Sequence, residues 1–403
     1  MTEKEDSLIE SPLAEILRDA RRRLGLSQAD VAAIVGVCAT TYGRFERGHY
    51  DESTPRLTVS QRRTVATHLG IDPDRLGVPS RNALPLRDEI VQHLLWQAYY
   101  SGDTTIARRA VPDYVVALHE QWGAPTLPFP VLSQGYQMVS TLVRDAGHSQ
   151  AAWIAADRGV TLAERMAATT AAQQEEICHL SAAGRMRRGR AAMSIADTAD
   201  AAQKDHWVQA AMRDAQSMVV LAERCRPALH AVLLVEAGKL LAAGGQEVPK
   251  QVRTTALTLA QTAAGRDPSG VYLTESGILH ALAEITLLRF QAPGAPPVDR
   301  REAQEALTQV SLATRSLSGT PARWTPQMRM TQVGLLLAIG DVETAIRTTD
   351  LLLSHSPTFT SVLTWTRLQR SLARIPTTQP DRFRLVEAVR NRRVAAQVPP
   401  ADD

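Results

Sequence analysis

The chain has 403 residues, of which 44% are hydrophobic and 22% charged, and its formal net charge is +3. This length exceeds that of one ordinary hydrophobic core and predicts two or three structural units. The near-neutral charge excludes a broadly basic nucleic-acid-binding protein, although it is compatible with a local basic face.

The composition also bounds the fold class and the compartment. Aromatic residues make up only 4% of the chain, and alternating β-branched runs are scarce, so we expect an all-α protein. Three dispersed thiols (Cys38, Cys178 and Cys225) form no CxxC pair, which indicates a reducing, cytoplasmic environment. The longest apolar stretch is too short to span a bilayer, so no membrane association is expected.

Clusters of Pro, Gly, Ser and Asn divide the chain into segments. The acidic start, MTEKEDSLIE, has no apolar signal core. The predicted segments are a disordered tail (1–10), a compact N-terminal domain (11–77), a linker (78–86), a large helical domain (87–394) and a second disordered tail (395–403).

Helical periodicity begins close to the N-terminus. Gly25 is predicted to end the first helix, and Ser27 to cap a second helix that carries Gln28 in its first turn. Gly36 is placed at a tight turn after the second helix. The inward-facing positions are Leu13, Ile16, Leu17, Ala20 and Leu24 in the first helix, and Val31, Ala32 and Val35 in the second.

The segment VCATTYGRFERG, residues 37–48, predicts a third helix from about Ala39 to Arg47 with Tyr42 and Phe45 on its buried face. After a polar loop, Val65, Ala66 and Leu69 predict a fourth helix that ends at Gly70. Two short helices joined by a tight turn form the helix-turn-helix arrangement, in which the later helix enters the DNA major groove.

The stretch GLSQADVAAIVGVCATTYGRFERG resembles the Xre/Cro-type helix-turn-helix family. The matching positions are the entry at 25–28, Ala32, Gly36-Val37, Tyr42, Phe45 and Glu46-Arg47-Gly48. The resemblance covers about 65 of the 403 residues and implies a sequence-specific, DNA-binding transcriptional regulator. The loop GHYDESTPRLTVS is longer than the family pattern, which leaves the positions of Arg56, Arg62 and Arg63 open.

Double-stranded DNA is therefore the expected partner. Thr40 and Thr41 can bind base edges or phosphate, and Arg44 can bind guanine or phosphate. By resemblance, Gln28 would contact phosphate or orient the reading helix. The predicted DNA-binding residues are Gln28, Ala39, Thr40, Thr41, Arg44 and Arg47.

Four neighbouring features bear on this surface. By resemblance, Glu46 pairs with Arg21 and braces the first helix. Cys38 is interpreted as a small, half-buried residue in preference to a redox sensor. Gly43 costs about 1 kcal/mol of helix stability relative to alanine. This cost is either tolerated because it allows a close approach to DNA or offset by packing. Between 16 and 70 there are nine basic and five acidic residues, an excess that can supply phosphate contacts.

Beyond the linker, helical stretches alternate with short breaks. LLLAIGDVETAIRTTDLLLSHSP, residues 335–357, resembles the second half of a tetratricopeptide (TPR) repeat, with Gly340, Ala345 and Pro357 at the family's spacing. Residues 94–118 echo it with Gly102-Asp103. We therefore predict a TPR-like α-solenoid of helix pairs, with an irregular helical bundle as the alternative.

The whole layout is similar to that of peptide-pheromone receptor regulators, which implies peptide sensing and a homodimer bound to an inverted repeat. Those receptors grip peptide backbone with asparagines, and this chain has only Asn82 and Asn391. The effector class therefore stays open between a peptide, a small molecule and a protein partner.

Two clusters in the large domain have competing interpretations. The run GRMRRGRAAM carries Arg185, Arg187, Arg188 and Arg190; it could bind an acidic ligand, but a solvated helix face is favoured. The aromatic cluster of Trp96, Tyr99 and Tyr100 is interpreted as core packing.

Two other function classes are alternatives to the regulator. The first is an interaction adaptor in which the helix-turn-helix is a docking module, which the small side chains of Ala39, Thr40 and Thr41 keep open. The second is an enzyme, which has least support because phosphate-loop, dinucleotide, GxSxG and zinc motifs are missing and the histidines are scattered. No cofactor and no metal are expected.

Overall fold

The chain divides into two compact units, Met1–Val91 and Gln92–Asp403. Both predicted tails, apart from 395–397, the linker at 78–86 and most of the repeat echo at 94–118 lie outside the described residues. The computed structural model describes residues 12–47, 57, 59–71, 76, 96, 99–100, 114, 118, 128–263, 265–266, 272–292, 294–295, 297–315, 323–355 and 361–397.

Four helices make up the described part of the N-terminal unit: α1 (Pro12–Arg23), α2 (Gln28–Val35), α3 (Ala39–Phe45) and α4 (Val59–Leu69). Local signals set their ends. Gly25 and Gly36 adopt the left-handed conformation, with φ of 68° and 72°, as helix-ending glycines do. Ser27 and Asp30 form a reciprocal capping box at the start of α2, so the predicted cap is confirmed.

The core of this unit lies where the periodicity predicts it. The residues predicted to face inward that are buried are Leu17, Ala20, Val31, Ala32, Val35, Tyr42, Phe45, Val65, Ala66 and Leu69. Of the other positions predicted to face inward in α1, Ile16 is half-buried and the Leu13 side chain lies outside the described residues. The prediction is wrong for Leu24, which is 48% exposed because α1 has already ended at Arg23. The third helix is also shorter than predicted, since α3 ends at Phe45 and Glu46 and Arg47 form a turn.

The carboxylate of Glu46 connects three helices. It is only 1% exposed and accepts hydrogen bonds from Arg21 Nε at 2.5 Å and Arg21 Nη2 at 2.8 Å. Gln28 Nε2 donates to the same carboxylate at 2.8 Å, and Arg18 Nη2 donates to the Glu46 carbonyl at 2.7 Å. The predicted Glu46–Arg21 pair is thus confirmed, and it ties α1 and α2 to the end of α3.

Gly43 allows Gln28 to reach that carboxylate. A Cβ atom at position 43 would lie 3.0 Å from Gln28 Oε1, closer than such atoms normally approach. Gly43 is buried, so of the two explanations for a glycine within α3, the structure supports packing and not close DNA approach.

Twelve helices and one short ribbon form the described part of the second unit. The ribbon pairs β1 (Gly265–Arg266) with β2 (Tyr272–Leu273) in antiparallel register. The helices are α5 (Phe129–Asp145), α6 (Ser149–Arg165), α7 (Ala171–Ala196), α8 (Ala201–Ala222), α9 (Pro227–Ala243), α10 (Gln251–Thr262), α11 (Glu275–Gln291), α12 (Arg300–Arg315), α13 (Trp324–Ala338), α14 (Val342–His355), α15 (Val362–Leu372) and α16 (Asp381–Gln397).

These helices form two layers. Most of them pack on their neighbours in sequence, and each of the odd-numbered helices from α5 to α13 also packs on the next odd-numbered helix. The helices with odd numbers, α5 to α15, surround a cavity of about 400 Å³, and within the described part of the unit no helix with an even number lines it. The first and last inner helices meet, because Asp145 accepts hydrogen bonds from Arg323 at 2.9 Å and from Ser361 at 2.8 Å.

The predicted turn between α13 and α14 is confirmed. Gly340 has φ of 83°, and Ala345 is fully buried in the helix pair. Pro357 lies outside the described residues, and assignment of the array to the TPR class stays a prediction. Residues 395–397 belong to α16, which ends at Gln397, so the prediction of a disordered tail over 395–403 is wrong for these three residues. None of the described helices has the length and apolar character that a membrane span requires.

A double-mutant cycle tests the packing of Gly43 on Gln28. Gly43→Ala should not stabilise the wild-type domain, because the added methyl group displaces Gln28 from Glu46. In a Gln28→Ala background the same change should stabilise it by about 0.5–1 kcal/mol, the helix-propensity gain. Hydrogen exchange of peptides spanning 28–47 measures the stability change caused by Gly43→Ala in each background. Equal stability changes with and without Gln28 would contradict the packing of Gly43 on Gln28.

The Glu46 network predicts a pH-dependent stability. Burial disfavours the charged carboxylate, but hydrogen bonds from Arg21 and Gln28 outweigh it and lower the pKa of Glu46. Because the unfolded glutamate is protonated first as pH falls, the stabilisation present at neutral pH is lost as pH falls through the folded pKa.

Glu46→Gln should therefore destabilise the domain by about 3 kcal/mol at pH 7, since it leaves Arg21 buried without its carboxylate. The difference from wild type should shrink towards about pH 3. Protection factors of peptides from α1 to α3 report it, and a difference that is constant over this range would contradict the assigned role of the charge.

Candidate nucleic-acid interface

The N-terminal part of α3 presents a polar face opposite its buried one. Ala39, Thr40 and Arg44 are exposed, whereas Tyr42 and Phe45 are 0% and 1% exposed and anchor the helix in the core. Three of the predicted DNA-binding residues therefore lie on one accessible side of a short, firmly packed helix. Such a face matches the geometry with which a recognition helix reads base edges.

Two arginines extend from this face and the turn that follows it. Arg44 and Arg47 are exposed, and neither makes an ion pair with another residue in the described parts of the chain. Their charges are thus available to an external anion. A phosphate backbone binds such side chains by releasing its condensed counterions.

Thr41 has a local role that the sequence did not reveal. It is half-buried, and its hydroxyl lies 2.9 Å from Cys38 Sγ at the start of α3. The Thr41 hydroxyl and the first backbone N–H groups of the helix lower the pKa of the Cys38 thiol. Cys38 is exposed at the N-cap position of α3, so the prediction of a half-buried residue is wrong.

Gln28 shows the second of its two predicted roles. Its Nε2 donates to Glu46 and its Oε1 lies against Gly43, so it orients α3 against α2. Glu46 itself is buried and has no access to a base. Of the three arginines whose positions the sequence leaves open, Arg62 donates to the Leu76 carbonyl at 3.0 Å. Arg56 and the Arg63 side chain lie outside the described residues.

The arginine run in α7 is not a solvated helix face. Arg185 and Arg188 form ion pairs with Asp214, and Arg190 pairs with Glu236 at 2.6 Å. Arg187 is only 3% exposed. The favoured interpretation was wrong because α7 is a central helix, packed on both layers, so every side of it is covered.

The aromatic cluster is packed as predicted and has one feature in addition. Trp96 and Tyr99 are buried and their rings contact each other, and together with Tyr100 they also line the cavity of the second unit. The sequence carried no signal for this, because the opposite wall comes from residues about 90 to 280 positions further along the chain.

Comparison with known proteins supports the helix-turn-helix assignment for one part of the chain. Residues 17–76 match the family model described as helix-turn-helix. No curated protein and no solved structure matches the chain. The match begins within α1, includes α2 to α4 and ends at Leu76, whose carbonyl accepts a hydrogen bond from Arg62. This part of the N-terminal unit is therefore similar to the helix-turn-helix domains that bind DNA.

Proposed function

We propose that this chain is a sequence-specific transcriptional regulator that reads double-stranded DNA through α3. The observation that carries the proposal is the accessible face of Ala39, Thr40 and Arg44 on a helix whose other side is fixed in the core. A DNA-reading helix needs both properties, since its outward side chains must reach base edges while its axis stays fixed in the groove.

Separate roles follow for the six predicted residues. Thr40 and Arg44 contact base edges, and the methyl group of Ala39 lies against the groove floor. Arg47 binds a phosphate and sets the position of the helix without reading sequence. Gln28 and Thr41 act indirectly, because their polar atoms hold α3 in place within the protein.

The second unit is proposed to be a sensor and dimerisation domain with a TPR-like arrangement. Its support is the ring of inner helices around a cavity of about 400 Å³, a volume within the range of small-molecule sites. A peptide or a protein partner is a less favoured effector, since a peptide would need an extended groove. We also propose that the chain has no catalytic activity of its own.

Substitution of the two exposed arginines tests the reading of DNA. Against a duplex selected from a random pool, Arg44→Ala should lose about 1–3 kcal/mol of binding free energy and relax the preference at one base position. Arg47→Ala should weaken binding to all sequences and reduce the salt slope by about one. Fluorescence anisotropy over a salt series measures both changes.

Arg347→Ala is the matched control, because this exposed arginine lies on α14 in the second unit. It should leave DNA affinity unchanged. Failure of the wild-type chain to enrich any sequence from the pool would contradict the regulator and favour the adaptor, in which the helix-turn-helix docks on a protein.

A homodimer is proposed because one short α3 contacts only a few base pairs, so a second copy is needed for an inverted repeat with half-sites one helical turn apart. Light scattering should give twice the chain mass of 43.9 kDa. A monomer both in the presence and in the absence of the selected duplex would contradict this arrangement.

A further inference from the structure

The cavity of the second unit combines apolar walls with an unusual set of charges. Its aromatic lining comes from Trp96, Tyr99, Tyr100, Tyr272 and Trp324, and aliphatic side chains of α7, α9 and α11 fill the spaces between them. Such walls favour a ligand with a planar or apolar body.

Seven cationic and four acidic side chains also line the cavity. A chain of alternating charges crosses one wall, from Arg190 to Glu236, Lys239, Glu284 and Arg367, with successive N–O distances of 2.6, 2.8, 2.7 and 3.3 Å. Both glutamates are therefore already shared between two cations.

The other two acidic residues are also engaged. Asp145 pairs with Arg323 at 2.9 Å, and Asp197 pairs with Arg370 at 3.2 Å. Each carboxylate of the lining is thus already paired with a cation. Two further lining arginines, Arg144 and Arg187, lie on the neighbouring inner helices α5 and α7.

Arg144 has no ion pair with any residue of the described ranges, and its buried Nε finds no hydrogen-bond partner there. Arg187 donates to three neutral oxygens: Thr141 Oγ1 at 3.2 Å, Gln137 Oε1 at 3.0 Å and the Ala183 carbonyl at 2.9 Å. Its guanidinium lies 5.3 Å from the Trp96 ring centroid.

Arg144 is half-buried and Arg187 is buried, and both line one cavity, so their like charges disfavour each other. Burial and the neighbouring arginines lower the pKa of both Arg144 and Arg187 to about 10. Both therefore stay charged at neutral pH. Because Arg144 forms no ion pair within the described ranges, its partly buried charge costs free energy unless an anion is supplied.

We propose that this cavity binds a small organic oxyanion, a carboxylate or phosphate on an aromatic or apolar body, with its acidic group held by Arg144 and Arg187. Arginine forks match both kinds of oxyanion. Trp96, which stacks on Tyr100 with ring centroids 5.9 Å apart, contacts the body of the ligand. Only the role of this ligand as an effector rests on the proposed function.

A matched pair of fluorescent probes tests the site in the full chain. 8-Anilino-1-naphthalenesulfonate carries the anionic group, and N-phenyl-1-naphthylamine has the same aromatic skeleton without it. The wild-type chain should bind the sulfonate at one site per chain, about tenfold or more tighter than the neutral amine.

Arg144→Gln should weaken binding of the sulfonate about tenfold and leave the neutral amine unchanged. Arg144→Lys should retain most of the affinity because it keeps the charge. Arg347→Gln, on the outer helix α14, is the control that should change neither probe. Arg187 is a poorer target, since its hydrogen bonds also join α5 and α7.

A stability measurement separates a binding role of Arg144 from a structural one. The unliganded Arg144→Gln chain should melt no lower than wild type, because the lost side chain had no ion pair to lose. A lower melting temperature, equal affinity of both probes for the wild type, or unchanged sulfonate binding by Arg144→Gln would each overturn the proposal.

Displacement distinguishes the two possible oxyanions. 1-Naphthoate and 1-naphthyl phosphate share one ring system, and the one that displaces the bound sulfonate at lower concentration identifies the favoured acidic group. The binding site and the regulator can also fail separately. Probe binding without selection of any DNA sequence would support the binding site and contradict the regulator. Selection of a DNA sequence without probe binding would support the regulator and contradict the binding site.

Discussion

The buried carboxylate of Glu46 is the constraint on which the candidate DNA-reading surface depends. With its partners Arg21 and Gln28 it fixes the end of α3 relative to α1 and α2, and so decides which side of α3 faces outward. Burying an ion pair is expensive and stabilises a fold little compared with apolar packing. We infer that its contribution here is geometric, because a small rotation of α3 would move Thr40 and Arg44 away from a base edge.

The second unit uses buried charge in a related way, with one difference. The alternating chain from Arg190 to Arg367 crosses the inner helices α7, α9, α11 and α15 and restricts how they can shift against one another. In the described part of the N-terminal unit the buried charge of Glu46 is paired with Arg21. In the cavity, positive charge exceeds the available carboxylate, and a ligand that supplied the missing charge would bind the first inner helices together.

Much of the N-terminal domain could be predicted because its determinants are local. Ser27 caps α2, Gly25 and Gly36 form the turns after α1 and α2, and the spacing of apolar residues marks the core. Leu24 was misplaced because periodicity does not show where a helix ends. The cavity could not be predicted, since its walls lie far apart in sequence. Neither could the contrast within one run between Arg187 and Arg190, which line the cavity, and Arg185 and Arg188, which pair with Asp214.

The most direct test of the central claim is to incubate the purified full chain with sheared genomic DNA of its host, recover the bound fragments and sequence them. The account predicts a few sharp peaks that share an inverted repeat, with half-sites about one helical turn apart. Uniform coverage of the genome at both low and moderate salt would contradict it, because it would mean that the exposed face of α3 reads no sequence.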